Sequence, residues 1–263
     1  MTEDKKGLMC RRDFLATGAS FMLWSLLGLN KRALAFEGTK KAHIALIIDD
    51  MGGSLSIARR FLDLEAPVTF SILPRLTRSQ DVALETHNQG QEIMLHQPME
   101  PFNTHLDPGP GALYVGYEPE KIVSIVEENI AGMPFVTGVN NHMGSRFTAC
   151  ERDMIEVLGP IKRHGLFFVD SLTSRSSKAY KTAKALNMTT ASRNIFLDNR
   201  PDESAILAQL NKLERHARKF GHAIGIGHPF RETARAIKIF LKGLDASCVS
   251  LVPVSGVLEP GQV

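Results

Sequence analysis

The feature that most constrains this chain is an alternation. From His43 to Val254, apolar runs of strand length are separated by segments of helical period. The runs are His43–Asp49, Val68–Leu73, Glu92–His96, Phe135–Asn140, Leu166–Asp170, Thr189–Arg193, His222–Gly227 and Val249–Val254. They are short, often β-branched, and several are apolar on both faces, as strands buried in a parallel sheet are. Helices are expected at Ser54–Leu64, Arg78–Asn88, Pro119–Ala131, Glu151–His164, Ser177–Asn187, Asp202–Phe220 and Arg231–Leu244. Leu207, Leu210, Leu213, Ala217 and Phe220 recur at helical spacing, with Gly221 placed to cap the last turn. Pro119 suits a first helical turn, and Ile122, Ile125, Val126 and Ile130 form one face. Seven or eight βα units in succession predict an α/β fold, a distorted (β/α)7–8 barrel of parallel strands, with a doubly wound open sheet as the alternative. No linker divides residues 42–263, so one domain is expected there.

Residues 1–35 read as a leader. Lys5, Lys6, Arg11 and Arg12 precede a charge-free stretch, Phe14–Leu29, and Ala33-Leu34-Ala35 offers a small-x-small cleavage site. The stretch is short for a membrane span and is diluted by Gly18, Ser20, Ser25 and Gly28, which argues against a stable transmembrane anchor. Arg11-Arg12 followed by Asp13-Phe14-Leu15 resembles a twin-arginine signal. The expected partner of this segment is the twin-arginine export machinery, and the expected location of the mature chain is periplasmic or extracellular. Residues 36–41 would be a linker.

Charge follows the same division. The whole chain has 31 basic and 28 acidic residues, but the leader holds six of the former and three of the latter, leaving 25 of each. A neutral domain without a basic, aromatic-interleaved run excludes nucleic acid as the expected partner. Cys150 and Cys248 remain beyond the leader; the compartment permits a disulfide, and spacing does not establish one.

Ionisable residues gather where these strands end: Asp49-Asp50, His96, Asn140-Asn141-His142, Asp170-Ser171 and His228. The C-terminal rim of the strands is where a barrel of this kind carries its chemistry. Asp49 and Asp50 would point to opposite faces of a straight strand, so both can serve one site only if the strand bends; Gly52-Gly53 permits that. Two carboxylates held close call for a cation or a shared proton. One Asp oxygen with the nitrogens of His96 and His142 makes a three-ligand set for zinc, and the same donors would hold iron(II) or manganese. His228 lies in Gly225-Ile226-Gly227-His228-Pro229. The long Pro- and Gly-rich segment Gln97–Glu118 carries Phe102, Tyr114 and Tyr117 and is read as a binding loop.

These segments resemble the polysaccharide deacetylase superfamily, most closely its divergent polysaccharide deacetylase branch, over roughly residues 42–258. The resemblance rests on Ile48-Asp49-Asp50-Met51-Gly52, Leu95 to Pro101, Gly138 to Ser145, Asp170-Ser171-x-Thr173 and Ile226-Gly227-His228-Pro229. It implies a distorted (β/α) barrel that removes acetyl groups from N-acetylated sugars with a divalent metal, zinc being expected. It further implies Asp49 as general base, Asp50 and His96 as metal ligands and His228 as general acid. The superfamily's His-x-x-x-His is His96-x-x-x-Glu100 here, so the third ligand is either His142 or Glu100; His142 is favoured because Pro98 and Pro101 would turn Glu100 outward. Asp170, Asn140 or Asn141 would orient these groups, and Asn140, Asn141, Arg146, Tyr114 and Tyr117 are expected to contact substrate. The superfamily's Arg-x-Pro-Tyr segment is absent, and the only Trp, Trp24, lies in the leader. The expected ligand is a polysaccharide or peptidoglycan-type glycan. The alternative is a non-catalytic glycan-binding or envelope-partner protein on a degenerate deacetylase scaffold, and a weaker third reading is hydrolysis of a phosphoester or O-acetyl ester.

Overall fold

The computed structural model describes residues 41–258. The expected leader and all of the linker but Lys41 lie outside them. Eight strands, β1 (Ala42–Met51), β2 (Thr69–Ile72), β3 (Glu92–Met99), β4 (Gly138–Met143), β5 (Phe167–Asp170), β6 (Thr190–Ser192), β7 (Ile195–Phe196) and β8 (His222–Gly227), form one parallel sheet in the order 6-5-4-3-2-1-8-7. β9 (Val249–Leu251) pairs with the first residues of β1. The order is cyclic and has no reversal, as a barrel requires and a doubly wound sheet does not. The two edge strands are not paired, yet only Arg193 and Asn194 separate them along the chain. Arg193 N donates to Asp170 O, and Asn194 N donates to Ile224 O, so one segment leaves the β5 side and joins the β8 side. The sheet is therefore a curled half-barrel with an open seam at this crossing.

Period-two alternation sorts the side chains. Ile44, Leu46, Ile48, Phe70, Leu95, Val139 and Phe168 face outward into the main core beneath the helices. Ala45, Ile47, Met94, Phe167, Val169, Ile224 and Ile226 fill the inside of the curl, where Val254 and Val257 of a C-terminal 3-10 turn (Val254–Val257) close the floor. That turn is tied down where Val254 N donates to Thr69 Oγ1 and Ser255 N to Glu92 Oε2. One step above this apolar layer, the same inward positions become Asp49, His96, Asn140 and His228. The site is thus the upper continuation of the inner core.

The helices are α1 (Leu55–Leu62), α2 (Ser79–Asn88), α3 (Pro119–Ala131), α4 (Glu151–Arg163), α5 (Ala179–Ala185), α6 (Glu203–Phe220) and α7 (Arg231–Gly243). Pro119 opens α3 and buries Ile122, Val126 and Ile130. Asp202 caps α6 by accepting from Ala205 N, and Gly221 ends it at φ +90°, a conformation open to glycine at little cost. The buried face of α6 differs slightly from expectation: it is Ile206, Leu210, Leu213 and Ala217, while Phe220 is exposed against His216. Among the described residues, no helix is long and apolar enough to cross a membrane.

Two expectations change. β3 runs on past His96 to Met99, through Pro98, so His96 sits inside the mouth instead of on its lip. Segment Gln97–Glu118, expected as a binding loop, is anchored: Leu113 bridges to Met99, Gln97 Nε2 donates to Gly111 O, and Asp153 Oδ2 accepts from Gly116 N. Cys150 is a free thiol, so no bond joins it to Cys248.

Candidate metal centre

Asp49 continues the inward parity of Ala45 and Ile47, whereas Asp50 would point outward. Asp50 reaches the interior because its own backbone is left-handed (φ 57°), at a break in the β1–β2 register between Ile48 and Met51. The bend expected at Gly52-Gly53 thus begins one turn of chain earlier, at a residue type that tolerates this conformation better than most. Such a backbone costs on the order of 1–3 kcal/mol and persists only where surrounding contacts enforce it.

Those contacts are two imidazoles. Asp50 Oδ1 lies 2.9 Å from His142 Nδ1 and 3.2 Å from His96 Nε2, and the two nitrogens are 3.2 Å apart. Asp50 Oδ1 is buried with these two ring nitrogens as its near neighbours and has no other hydrogen-bond partner. Donor atoms roughly 2.0–2.2 Å from one ion stand about 3.0 Å apart at right angles and about 3.4 Å apart at tetrahedral angles. The observed triangle falls in that range, and an orphaned buried oxygen at its corner is what a cation would satisfy. Among the described residues, Asp50, His96 and His142 form the metal-capable cluster.

Asn140 organises the base of this cluster. It sits opposite His96 in the β3–β4 register. Its Nδ2 donates to Asp49 Oδ1 at 2.8 Å and to Ser171 Oγ at 3.2 Å, while its Oδ1 accepts from Ser71 Oγ and from His96 Nδ1 at 2.8 Å. With Nδ1 of His96 donating, Nε2 of the neutral ring keeps its lone pair for the cluster, the tautomer a metal ligand needs. Burial raises the pKa of Asp49, against the pull of His96, His228 and Asn140. Burial acts the same way on Asp50, but His142 and His96 outweigh it and hold that carboxyl far below the usual range. His96 is raised, because Asp49 and Asp50 overcome the penalty of burying a cation.

His228 faces the cluster from β8's end, and its charge acts on Asp49. Its Nδ1 donates to Asp198 Oδ1 at 2.8 Å; Asp198 Oδ2 accepts from His228 N and from Thr233 Oγ1. The ring is stacked near Phe196, with centroids 5.1 Å apart. Burial would lower the pKa of His228, but Asp198 outweighs it, with Asp49 and Asp50 assisting, and the ring is pushed up to about 8.

Other expected site residues lie elsewhere. Asp170 has outward parity, and its oxygens accept from Leu172 N, Ser177 Oγ and Tyr180 N, so it organises the start of α5 and does not touch the cluster. Asn141, also outward, accepts from Ser171 N and donates to Met143 O. Glu100 accepts from Val115 N and pairs with Arg146, which separates both from the metal-capable triangle. Tyr117 packs on the outer core under Lys121, with Tyr114 tilted against it. Sequence reasoning missed Asp198, Ser71 and Arg193.

Comparison with known proteins agrees with this architecture. The model of the family described as divergent polysaccharide deacetylase matches residues 46–258. Uncharacterized protein YibQ of Escherichia coli K12 is 30% identical over 254 residues, covering 96% of this chain and 75% of YibQ. The crystal structure of uncharacterized protein ATU2773 from Agrobacterium tumefaciens C58 aligns with a TM-score of 0.79 at 28% identity, over 84% of this chain and 91% of that one. A CE4 family pseudoenzyme from Bacillus anthracis shares the fold, with a TM-score of 0.52 at 15% identity over 86% and 68% of the two chains. The matched span begins on the strand that carries Asp49 and Asp50 and ends beyond the floor of the barrel, so by the whole of its described domain this chain belongs to the divergent polysaccharide deacetylase family.

Proposed function

We propose that the protein is an exported, metal-dependent deacetylase acting on an N-acetylated envelope polysaccharide. The observation that carries this reading is a buried carboxylate, Asp49, held by Asn140 beside a three-donor metal cluster, with the Asp198-supported His228 facing it. A divalent cation held by Asp50, His96 and His142, proposed as zinc, would supply Lewis-acid polarisation of the acetamide carbonyl and an acidified water. Asp49, kept basic by burial and oriented by Asn140, would accept the proton of the attacking water at its carboxylate. His228, protonated at neutral pH through Asp198, delivers a proton to the departing amine nitrogen. Asn140 fixes base and ligand in one register, so neither has to be oriented during the reaction.

The test is acetate release from N-acetylglucosamine oligomers and envelope glycans by metal-loaded protein. Release is expected, falling by about 10²–10⁴-fold in Asp49→Asn, the range typical of a lost general base. No release across a panel of glycans and metals would leave the non-catalytic glycan-binding reading in its place.

Export is supported by Arg11-Arg12 ahead of a charge-free stretch. Cell fractionation of the full chain is expected to find it outside the cytoplasm, and an Arg11→Lys, Arg12→Lys double variant inside. Equal distribution of the two would remove the twin-arginine route from the proposal.

A further inference from the structure

Among β1 to β8, β6 alone runs into the next strand without an intervening helix. Outside the barrel this leaves the seam uncovered, and a cleft of about 380 Å³ opens there between β7 and α6. Its polar lining is Arg193, Asn194, Asn199, Arg200, Gln209 and Lys212, with no carboxylate. None of the three cations makes an ion pair among the described residues. Exposed Arg200 and Lys212 could simply be solvated. Arg193 is different.

Arg193 is partly buried and held rigidly. Its Nε donates to Ser171 O at 2.7 Å and its Nη2 to Leu172 O at 2.9 Å, and its guanidinium lies 4.5 Å from the Phe196 ring centre. Phe196 in turn stacks on His228. Ser171, whose carbonyl holds Arg193, receives Asn140 through its hydroxyl, and Asn140 holds Asp49. Two short paths therefore join this guanidinium to His228 and to Asp49, the groups beside the metal cluster. Its hydrogen bonds go to neutral carbonyls, with Asp170 and Asp49 acting on its charge from beyond ion-pair distance, and two of its five N–H donors are used, leaving a fixed fork with donors to spare.

We propose that the seam is an anion subsite and that the glycan bound at the metal centre is acidic, carrying a carboxylate or phosphate that Arg193 grips. Arg200 and Lys212 extend the same field along the cleft. The deacetylase reading makes this glycan a substrate; the binding itself does not depend on catalysis. A neutral domain with three cations gathered at one seam, none of them in an ion pair, is suited to select one acidic chain over neutral ones, not to adsorb any polyanion.

The experiment is calorimetric titration of the zinc-loaded full chain, in the Asp49→Asn background so that nothing turns over. The probes are a neutral N-acetylglucosamine tetramer, a tetrasaccharide alternating N-acetylglucosamine with glucuronate, and N-acetylglucosamine 1-phosphate beside N-acetylglucosamine. At low salt the acidic member of either pair is expected to bind about tenfold or more tightly, as a charge-assisted pair would allow; the pair with the larger ratio identifies carboxylate or phosphate. Arg193→Gln should erase the preference and Arg193→Lys retain part of it. An Arg200→Gln, Lys212→Gln double variant, confined to exposed side chains, should reduce the preference and its salt dependence with an unchanged unfolding midpoint. Equal affinity for neutral and acidic probes overturns the proposal, as does a preference that survives Arg193→Gln. Should Arg193→Gln not fold, an undiminished preference in the double variant overturns it. Absence of acetate release with the acid preference intact would sink the deacetylase reading alone.

Discussion

Replacing His142 with Ala is expected to lower metal affinity by more than about 100-fold, beyond the 10–100-fold typical of losing an outer partner. His142 supplies one corner of a triangle whose edges are 2.9, 3.2 and 3.2 Å, and no other His, Cys or carboxylate among the described residues joins that cluster. Asn140→Ala should fall within the outer-partner range, because it removes the acceptor that fixes the His96 tautomer but no residue of the metal-capable triangle. Glu100→Gln should bind metal like the wild type, since Glu100 is occupied by Val115 and Arg146. Competition with a chelator of known affinity, alongside metal analysis after dialysis, gives the ranking. A Glu100 variant that loses metal while the His142 variant keeps it would invert the ligand assignment.

The second large effect concerns pH. His228 is pushed up to about 8 against the penalty of burial, chiefly by Asp198. The raised value means the pair's stabilisation is complete below the ordinary histidine range and is lost as pH rises through about 8. The same sign governs a general acid: activity should hold below that value and decline above it. In Asp198→Asn the anionic partner is gone while burial remains, so the alkaline limb should move toward acid. Near pH 8 the rate should fall at least tenfold, within the range attributed to a positioned acid. A bound cation would lower the ring's pKa in both proteins, so the displacement between the two profiles is the quantity to read. Superimposable profiles would separate His228 from proton transfer.

What could be read in the sequence, and what could not, follows from strand parity. Ile224, Ile226 and His228 alternate with Gly225 and Gly227, so β8 announces its inward members, whereas in β1 Ile44, Leu46 and Ile48 are as apolar as Ala45 and Ile47, and nothing local marks Asp49 as inward. Phe167 to Asp170 is apolar on both faces, and nothing in that run tells that Asp170 points outward while Val169 points in. Asp198 was hidden for another reason. Its strand is two residues long, held by Asn194 Oδ1 accepting from Ile224 N and by Leu197 N donating to Ile226 O, and so leaves no apolar run to notice. Ser71 is a small hydroxyl inside an ordinary buried strand; only its bond to Asn140 marks it. Asp50 shows the limit from the other side: its type was suggestive, but its left-handed backbone is a tertiary outcome that no local pattern encodes.

Because Val254 and Val257 stopper the barrel from below, the protein is a cup and not a tube. The proposed glycan would not be threaded through it; it would lie across the brim and dip a single unit toward Asp49 and His96. No free chain end would be needed for such an approach. For the proposed glycan substrate, the place of action along the chain would then be decided by what the brim grips, not by the length of the barrel.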